Sequence, residues 1–337
     1  MRFVVYGAGA IGAFVAGRLH RAGVPVTLVA RGENLARIRT YGLVLKTPAG
    51  EERIGVEAIG PDELEKLDAG PDTMVLLAVK SQDTLEALQK IRRALPEPTA
   101  VACLQNGVEN ERVASRFFPA VYGVSVICPN VHLEPGVVSG YSHPVIGILD
   151  AGRHTGGTIT ELRALISGFV KAGFASETVG DIRAVKYGKL LSNLGNVVEA
   201  LCGPAALDGP ITEIARREGR ACLVAAGIAV DERPDRGLIL TPSVVDGRPR
   251  PAGSTWQSVQ RGLDSTETDF LNGEICVLGR AHDIPTPMNA LLQRLIRELH
   301  GDRGRIGSFS EADVLALAGV RVPTGVRAPA GGRADRD

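Results

Sequence analysis

The sequence predicts an α/β protein in which an N-terminal Rossmann-type domain, built on a doubly wound parallel sheet, precedes a mainly α-helical C-terminal domain. Three patterns predict this fold: a glycine-rich turn near residue 7, apolar runs that alternate with helical segments up to Val179, and mostly helical patterns beyond Asp181. The 337 residues exceed a typical single domain. We expect domains over residues 1–179 and 180–321, and a disordered tail over residues 322–337.

The first predicted strands and the turn between them indicate a dinucleotide site. Residues 3–6 and 26–30 are apolar runs of strand length with a helical stretch between them, which predicts a β-α-β unit. In a GxGxxG turn the first glycine permits the bend, the second lets backbone approach a diphosphate, and the third lets helix pack on strand. The helix N-terminus then offers free N–H groups. The expected cofactor-binding residues are Gly7, Ala8, Gly9, Ala10, Ile11 and Gly12.

Two other interpretations of this stretch are open. A secretory signal would fit the mostly apolar residues 3–17 after Arg2, although the glycines within them weaken a signal helix. A β-α-β unit that binds nothing would show the same pattern. The strand before the turn, the helix after it and a second strand at the right distance favour the dinucleotide site.

Arg31 follows the second predicted strand and bears on which nicotinamide cofactor binds. An acid at this place accepts hydrogen bonds from the ribose of NAD, whereas a guanidinium matches the 2′-phosphate of NADPH/NADP. Arg31 therefore favours NADPH. Glu33 lies two residues on and could accept from a ribose, and Arg31 could be an ordinary surface residue, so both alternatives stay open.

Composition excludes several classes of partner and site. Lysine and arginine together number 38, as do aspartate and glutamate, so a net charge of zero gives no reason to expect nucleic acid or an anionic membrane surface. No apolar stretch reaches membrane-spanning length. The five cysteines are scattered without a CxxC pair, which is typical of reduced thiols in a cytoplasmic protein. The histidines are scattered too, so we expect no metal site, and a homodimer is left open.

Two polar residues follow predicted parallel strands in the first domain. Residues 73–79 and 99–104 are apolar runs, and Lys80 and Asn106 come just after their carboxyl ends. Ligands bind at that edge of open parallel sheets, so both residues are expected near the nicotinamide cofactor. The alternatives are that Lys80 only caps the sheet and that Asn106 only belongs to an Asn-Gly turn.

The other elements of the predicted order carry fewer signals of function. The remaining expectations are a hairpin added to the sheet over residues 43–46 and 53–58, strands over residues 122–131, 137–141, 145–150 and 175–179, a helix over residues 159–172, and a loop or mobile insertion over the Arg/Pro-rich residues 233–254.

One helix of the second domain, predicted over residues 181–200, has an unusual polar face. Lys186, Lys189, Asn193 and Asn196 recur three or four residues apart, with no acid among them. Two asparagines in a helix interior are unfavourable on a solvated face, whereas buried amides can bind carbonyls and hydroxyls of a ligand. A face that simply meets water is the alternative.

A second polar stretch follows in the same domain. Ser254 and Thr255 are hydroxyl residues just before a helical run, and Glu267 opens the segment TETDFLNG. Glu267 could be either a first-turn acid that favours the helix dipole or a site residue.

These stretches together resemble the ketopantoate reductase family. The similarity rests on GAGAIG at residues 7–12 with Arg31, VKSQ at 79–82, LQNG at 104–107, KLLSN at 189–193 and TETDFLNG at 266–273. The resemblance implies NADPH-dependent reduction of ketopantoate (2-dehydropantoate), a 2-oxo acid, to pantoate on the route to pantothenate and coenzyme A. It also implies an active site between the two domains.

The resemblance assigns roles to matching residues. It implies that Lys189 is the catalytic general acid and that Glu267 is a second catalytic residue, which contacts substrate and cofactor. Asn106 would border nicotinamide and substrate, and Lys80 would lie near the cofactor. The residues implied to orient the substrate are Asn193, Ser254 and Thr255, with Asn196 as a further amide on the same face.

Two positions depart from the family pattern. The second asparagine expected four residues after Asn193 is Val197 here, with Asn196 one residue early, and Thr255 replaces a serine. These departures keep two alternatives open, a reductase of another branched 2-oxo acid and a non-catalytic NADPH-binding protein.

Overall fold

A computed structural model describes residues 1–231 and 240–320 of the chain. The tail predicted over residues 322–337 lies outside the described residues, as does part of the Arg/Pro-rich segment. The strands of the described part are β1 (Arg2–Tyr6), β2 (Val26–Val29), β3 (Leu43–Thr47), β4 (Gly50–Ile54), β5 (Glu57–Ile59), β6 (Thr73–Leu77), β7 (Ala100–Cys103), β8 (Val121–Ile127), β9 (Asn130–Val131), β10 (Val137–Gly140) and β11 (Ile148–Thr155).

The helices alternate with strands in the first half and follow one another in the second. They are α1 (Ala10–Arg21), α2 (Gly32–Tyr41), α3 (Thr84–Ala94), α4 (Asn110–Ala114), α5 (Ile159–Lys171), α6 (Ile182–Asn193), α7 (Asn196–Cys202), α8 (Pro210–Ala225), α9 (Ser254–Gln260), α10 (Asn272–Ala281), α11 (Pro287–Arg297) and α12 (Glu311–Leu317). None of the helices in the described ranges is long and apolar enough to span a membrane.

The main sheet has the spatial order β11-β8-β7-β6-β1-β2-β5, parallel except for β11, which runs antiparallel to β8. Its central strands are apolar on both faces because helices cover both. One face packs on α1 and α5, where Phe14 and Phe169 are fully buried, and the other packs on α3 through Leu88 and Ile91. The predicted doubly wound parallel sheet is confirmed.

A second sheet, of order β4-β3-β10-β9, covers the outer side of α1. The predicted hairpin is confirmed as β3 and β4. Its addition to the main sheet was wrong, because β3 pairs with β10 in the second sheet, and residues 57–59 separate from the hairpin as β5. The close approach of α1 favours this pairing. A Cβ at Gly17 would lie 2.9 Å from Leu45, and one at Gly140 would lie 2.7 Å from the Phe14 ring.

Two other predicted strands differ from the structure. The strand expected over residues 122–131 ends at Ile127, and Asn130 and Val131 cross to the second sheet after Pro129, whose missing N–H interrupts a ladder. Residues 175–179 form only isolated bridges with β11. The helix expected over residues 159–172 is confirmed as α5.

The second half of the described chain packs helices around their own apolar core, which includes Leu191, Ile275 and Leu292. Its first helix, α6, is also docked on the sheet, because Ile182 fills the space beside Gly123 and Gly152 where a Cβ would be 3.0 Å or less away. The boundary between residues 179 and 180 stays a prediction.

The single helix predicted over residues 181–200 is interrupted at Leu194 and Gly195. The Leu194 N–H bonds the Leu191 carbonyl in a tighter turn, and the Asn272 amide donates to the Leu194 carbonyl at 3.3 Å. A Cβ at Gly195 would lie 3.0 Å from the Leu207 carbonyl oxygen. This break separates α6 from α7, so Asn196 and Val197 do not continue the helix face that carries Lys189 and Asn193.

Candidate active site

A cavity of about 1050 Å³ lies where the carboxyl ends of β1, β2, β6, β7 and β8 face the helical half. This edge is where ligands bind in open parallel sheets. The predicted site residues that line it are Gly7, Ala8, Gly9, Ala10, Ile11, Arg31, Lys80, Asn106, Lys189, Asn193, Asn196, Ser254 and Glu267.

The glycine-rich turn has the geometry of a diphosphate cradle. Gly7 has φ +115°, and a Cβ there would lie 2.8 Å from the Ala78 backbone. A Cβ at Gly12 would lie 1.9 Å from the Gly7 carbonyl oxygen, so Gly12 acts by close packing and does not line the cavity. At Gly9 there is open space within 4 Å of the same position. Gly9 also precedes α1 without a side-chain cap, which leaves the first N–H groups available to an anion.

Arg31 lies at the far end of this cavity, after β2. Its side chain is 77% exposed, and its Nη2 lies 3.3 Å from Asp83 Oδ2. Asn34 is a neighbour that sequence reasoning missed: it donates to the Ala8 carbonyl at 2.8 Å and accepts from the Gly136 N–H at 2.7 Å. Glu33 is exposed and is not among the residues that line the cavity.

Lys80 and Glu267 meet across the cavity from opposite halves of the chain. Lys80 Nζ lies 2.5 Å from Glu267 Oε2, and Ser81 donates to Glu267 Oε1 from its backbone N–H at 3.2 Å and from its hydroxyl at 3.1 Å. Glu267 begins a short 3-10 helix, so it is a first-turn acid, and it is also a buried, ion-paired carboxylate that lines the cavity.

Helix α6 carries Lys189 and Asn193 into the cavity. Asp181 caps the helix by accepting from the N–H groups of Arg183 and Ala184, both at 3.1 Å. Asn193 is 4% exposed and its Nδ2 has no hydrogen-bond partner among the described residues. An unsatisfied buried amide donor that lines a cavity is typical of a ligand-binding residue.

Lys186 leaves the predicted polar face. It is buried, forms an ion pair with Glu111 of the sheet half, and donates to the Gln105 carbonyl at 3.0 Å. The acid that appeared to be missing near the lysines is thus Glu111, far away in the sequence. Lys186 supports the backbone next to Asn106 and does not line the main cavity.

In each of two adjacent pairs, Asn196 with Val197 and Ser254 with Thr255, one residue lines the cavity and the other is buried outside it. Asn196 lines the cavity, whereas Val197 is 1% exposed and belongs to the helical core. Ser254 lines the cavity at the start of α9, whereas Thr255 is buried and is not among the lining residues. Glu199 holds this helix start by accepting from the Gly253 N–H at 2.7 Å.

Comparison with known families gives the site its context. The family model described as "Ketopantoate reductase PanE/ApbA" matches residues 3–151, and the model described as "Ketopantoate reductase PanE/ApbA C terminal" matches residues 181–300. The chain belongs to the ketopantoate reductase family. This membership confirms the resemblance seen in the sequence motifs and makes the protein an oxidoreductase.

Relatives match over nearly their whole length. The 2-dehydropantoate 2-reductase of Pyrococcus horikoshii is 29% identical, over 88% of this chain and 97% of that protein. The one from Mesorhizobium japonicum is 29% identical, over 90% and 99%. The crystal structure of a PanE/ApbA family ketopantoate reductase from Ralstonia eutropha JMP134 has a TM-score of 0.73, with 29% identity over 90% of this chain and 100% of that one.

Several lining residues of this ketopantoate reductase family member were not predicted. Cys128 and Asn130 follow the carboxyl end of β8, and His132, Gln257 and Arg261 lie beside them. Pro129 was the available signal, because it ends the parallel strand and places the next residues at the ligand edge. Burial raises the pKa of the Cys128 thiol to about 12, while the Lys189 charge acts in the opposite direction.

Proposed function

We propose that this protein reduces ketopantoate to pantoate with NADPH, with Lys189 as the general acid. The observation that carries the proposal is that one cavity brings the glycine-rich turn together with Lys189 and the unpartnered amide of Asn193. The turn follows the first strand and the two side chains come from α6, so the cavity joins a dinucleotide-type cradle to polar groups suited to a small substrate.

The residues present fit a nicotinamide dinucleotide. The open space at Gly9 and the uncapped start of α1 would hold a diphosphate, and Arg31 would contact a 2′-phosphate at the far end. Asn106 follows β7, at the end of the cavity where Lys189 lies, and would border the nicotinamide ring. When bound, a reduced nicotinamide supplies hydride chemistry for ketone reduction.

Lys189 has the role of proton donor in this proposal. A ketone oxygen gains negative charge as its carbon is reduced, and an ammonium beside it stabilises that charge and then transfers a proton from Nζ. Its position on α6 is fixed by the Asp181 cap and by the docking of Ile182 on the sheet. A rigid mounting of this kind keeps the proton donor at one place relative to the substrate.

Polar side chains that line the same cavity as Lys189 would orient the substrate. The free Nδ2 of Asn193 can donate to a ketone or carboxylate oxygen. Asn196 at the start of α7 and the Ser254 hydroxyl at the start of α9 offer further donors. Glu267 keeps Lys80 next to Ser81 and Asn106 on the opposite wall. We assign Thr255 a packing role, because it is buried outside the cavity lining.

The deciding experiment follows the absorbance of NADPH in the presence and absence of ketopantoate. Oxidation that requires both the protein and ketopantoate is the expected result. NADPH binding without ketone-dependent oxidation would instead identify a non-catalytic binding protein. Cytoplasmic location and a homodimer stay predictions.

A second candidate, reduction of another branched 2-oxo acid, is favoured by the two departures from the family pattern. Val197 packs in the core and Thr255 faces away from the cavity, so the substrate would meet Asn196 and Ser254 instead. Steady-state kcat/KM values for a panel of 2-oxo acids that differ in branching separate the two candidates. The best substrate is the one with the highest ratio.

A further inference from the structure

We propose that Arg261, which belongs to the helical half, binds the diphosphate of the dinucleotide cofactor and so closes the site over the glycine-rich turn. The inference rests on the proposed function only in requiring that a dinucleotide binds. It adds a cation that none of the sequence motifs indicated.

Arg261 lines the cavity and caps the end of α9, on the helix face that contacts the second sheet. Gln257, one turn earlier, donates to the Asn130 carbonyl at 3.2 Å and accepts from the His132 N–H at 3.3 Å. Residues four apart lie on the same helix face, so Arg261 follows Gln257 along the second sheet. Asn130 in turn contacts α1, with its Nδ2 3.4 Å from the Ala10 carbonyl. The Gln257 face of α9 therefore lies against the segment that adjoins the first turn of α1.

The charges of the cavity single out Arg261. Three other lining cations already have acidic partners: Arg31 with Asp83, Lys80 with Glu267, and Lys90 with Glu86. Arg261 forms no ion pair or side-chain hydrogen bond with any residue in the described ranges, and its buried Nε has no partner there. Burial lowers the pKa of the guanidinium, so an anion in the cavity would relieve an unfavourable environment.

Arg250 is another lining cation, and no ion pair of its guanidinium occurs within the described residues. It is exposed, and its charge interacts with Glu199 beside the start of α9. It therefore lies toward the substrate end, and does not replace Arg261 near the glycine-rich turn.

Two anions could bind to Arg261, the cofactor diphosphate and a substrate carboxylate. The distance between Arg261 and Ser254 along the helix favours the diphosphate. Ser254, at the first turn of α9, belongs to the substrate end of the cavity, and Arg261 comes seven residues later. At a rise of about 1.5 Å per residue the two lie roughly 10 Å apart. A small 2-oxo acid held beside Lys189 and Ser254 would not reach that far, whereas a dinucleotide bound at the glycine-rich turn would bring its diphosphate to the part of the cavity that α1 adjoins.

Calorimetric titration of Arg261→Gln with NADPH, NADH and ADP-ribose tests the inference directly. All three ligands contain the diphosphate, so the expected result is an equal rise of Kd, about tenfold or more for each. Arg261→Lys should recover part of the affinity. Arg280→Gln is the matched control, because it removes the same charge from an exposed position in the same half, and it should leave all three Kd values unchanged.

Each outcome decides the inference separately from the proposed function. Unchanged Kd values for Arg261→Gln with a normal melting temperature would overturn it, as would a rise confined to the KM of ketopantoate. If ADP-ribose binding weakens but ketopantoate never oxidises NADPH, the Arg261 assignment stands and the proposed reaction fails. A wild-type protein that binds none of the three ligands would overturn both.

Discussion

Lys80 and Glu267 form an ion pair of 2.5 Å at the cavity. The pair joins the segment that follows β6 to the helical half of the chain. The Glu267 side chain is 7% exposed and that of Lys80 is 28% exposed, so the pair is partly desolvated. Breaking such a pair leaves one charge without its partner. We expect Glu267→Gln to lower the free energy of unfolding by about 1–3 kcal/mol, measured by urea denaturation.

The double variant Lys80→Met/Glu267→Gln serves as the control for this prediction. Because neither charge remains unpaired, its loss should be smaller than the sum of the single losses by about 0.5 kcal/mol or more. Strictly additive losses would mean that the two residues are not energetically coupled.

Replacement of Lys189 tests the proposed proton transfer. Lys189→Ala should lower turnover by ~10²–10⁴ while NADPH still binds, because general acid catalysis is lost but the glycine-rich turn is intact. Stopped-flow or steady-state turnover and NADPH fluorescence titration measure the two effects. Lys171→Ala, at an exposed position of α5, is the matched control. Undiminished turnover in Lys189→Ala would remove this residue from the mechanism.

Local patterns explain why the first half of the fold was predictable and the second sheet was not. The strands β1, β6 and β7 are each a continuous apolar run, and the turn at Gly7 is a short motif, so each can be recognised from its own residues. Besides its hairpin partner β4, β3 pairs with β10, which lies far along the chain, and no local signal links β3 to β10. Lys189 and Asn193 were predictable from spacing on one helix, whereas Arg261 enters the site only because α9 packs on the second sheet.

Replacement of Arg31 tests the proposed preference for NADPH over NADH. Because its guanidinium matches a 2′-phosphate that only NADPH carries, Arg31→Asp should raise the Kd for NADPH much more than the Kd for NADH. The existing contact with Asp83 does not oppose this, since an exposed pair of this kind is weak and can rearrange. Fluorescence titration of both cofactors is the measurement. Equal losses for the two would defeat the assignment of Arg31.

The family pattern expects its second asparagine at position 197, whereas this chain has Val197 there and Asn196 one residue earlier. The break at Gly195 places Asn196 in the cavity and Val197 in the core. We expect Asn196→Ala to raise the KM of the 2-oxo acid with little change in the Kd of NADPH. Val197→Asn should instead lower the free energy of unfolding by about 1–3 kcal/mol, because it buries an amide without a partner. A more active Val197→Asn variant of unchanged stability would contradict this arrangement.

The interruption of the 181–200 helix also shows the limit of periodicity. The break at Leu194 and Gly195 decides which of the following side chains line the cavity. It is stabilised by the Asn272 amide, which donates a hydrogen bond to the Leu194 carbonyl. Helix propensity alone does not report such a tertiary contact. The three- and four-residue spacing was therefore sufficient for Lys189 and Asn193, which share α6, and insufficient for the residues beyond the break.

His132 gives the protein a defined pH dependence of stability. Burial lowers the pKa of this imidazole, the Val137 carbonyl hydrogen bond acts in the opposite direction, and the Arg261 charge lowers it further. The folded protein therefore keeps His132 neutral at a pH where the unfolded chain has taken up a proton. This contribution to stability is fully present above the unfolded pKa of about 6.5 and is lost as the pH falls through the lowered pKa of the folded protein.

Urea denaturation at pH 7.5 and 5.5 measures this effect. The difference in free energy of unfolding between the two pH values should be smaller in His132→Gln than in the wild type, by up to about 1 kcal/mol. The half-buried His154 and His300 also have a lowered pKa, so part of the dependence remains in the variant. His20→Gln, at an exposed position, should behave as the wild type. An unchanged difference in His132→Gln would show that this residue titrates alike in the folded and unfolded chains.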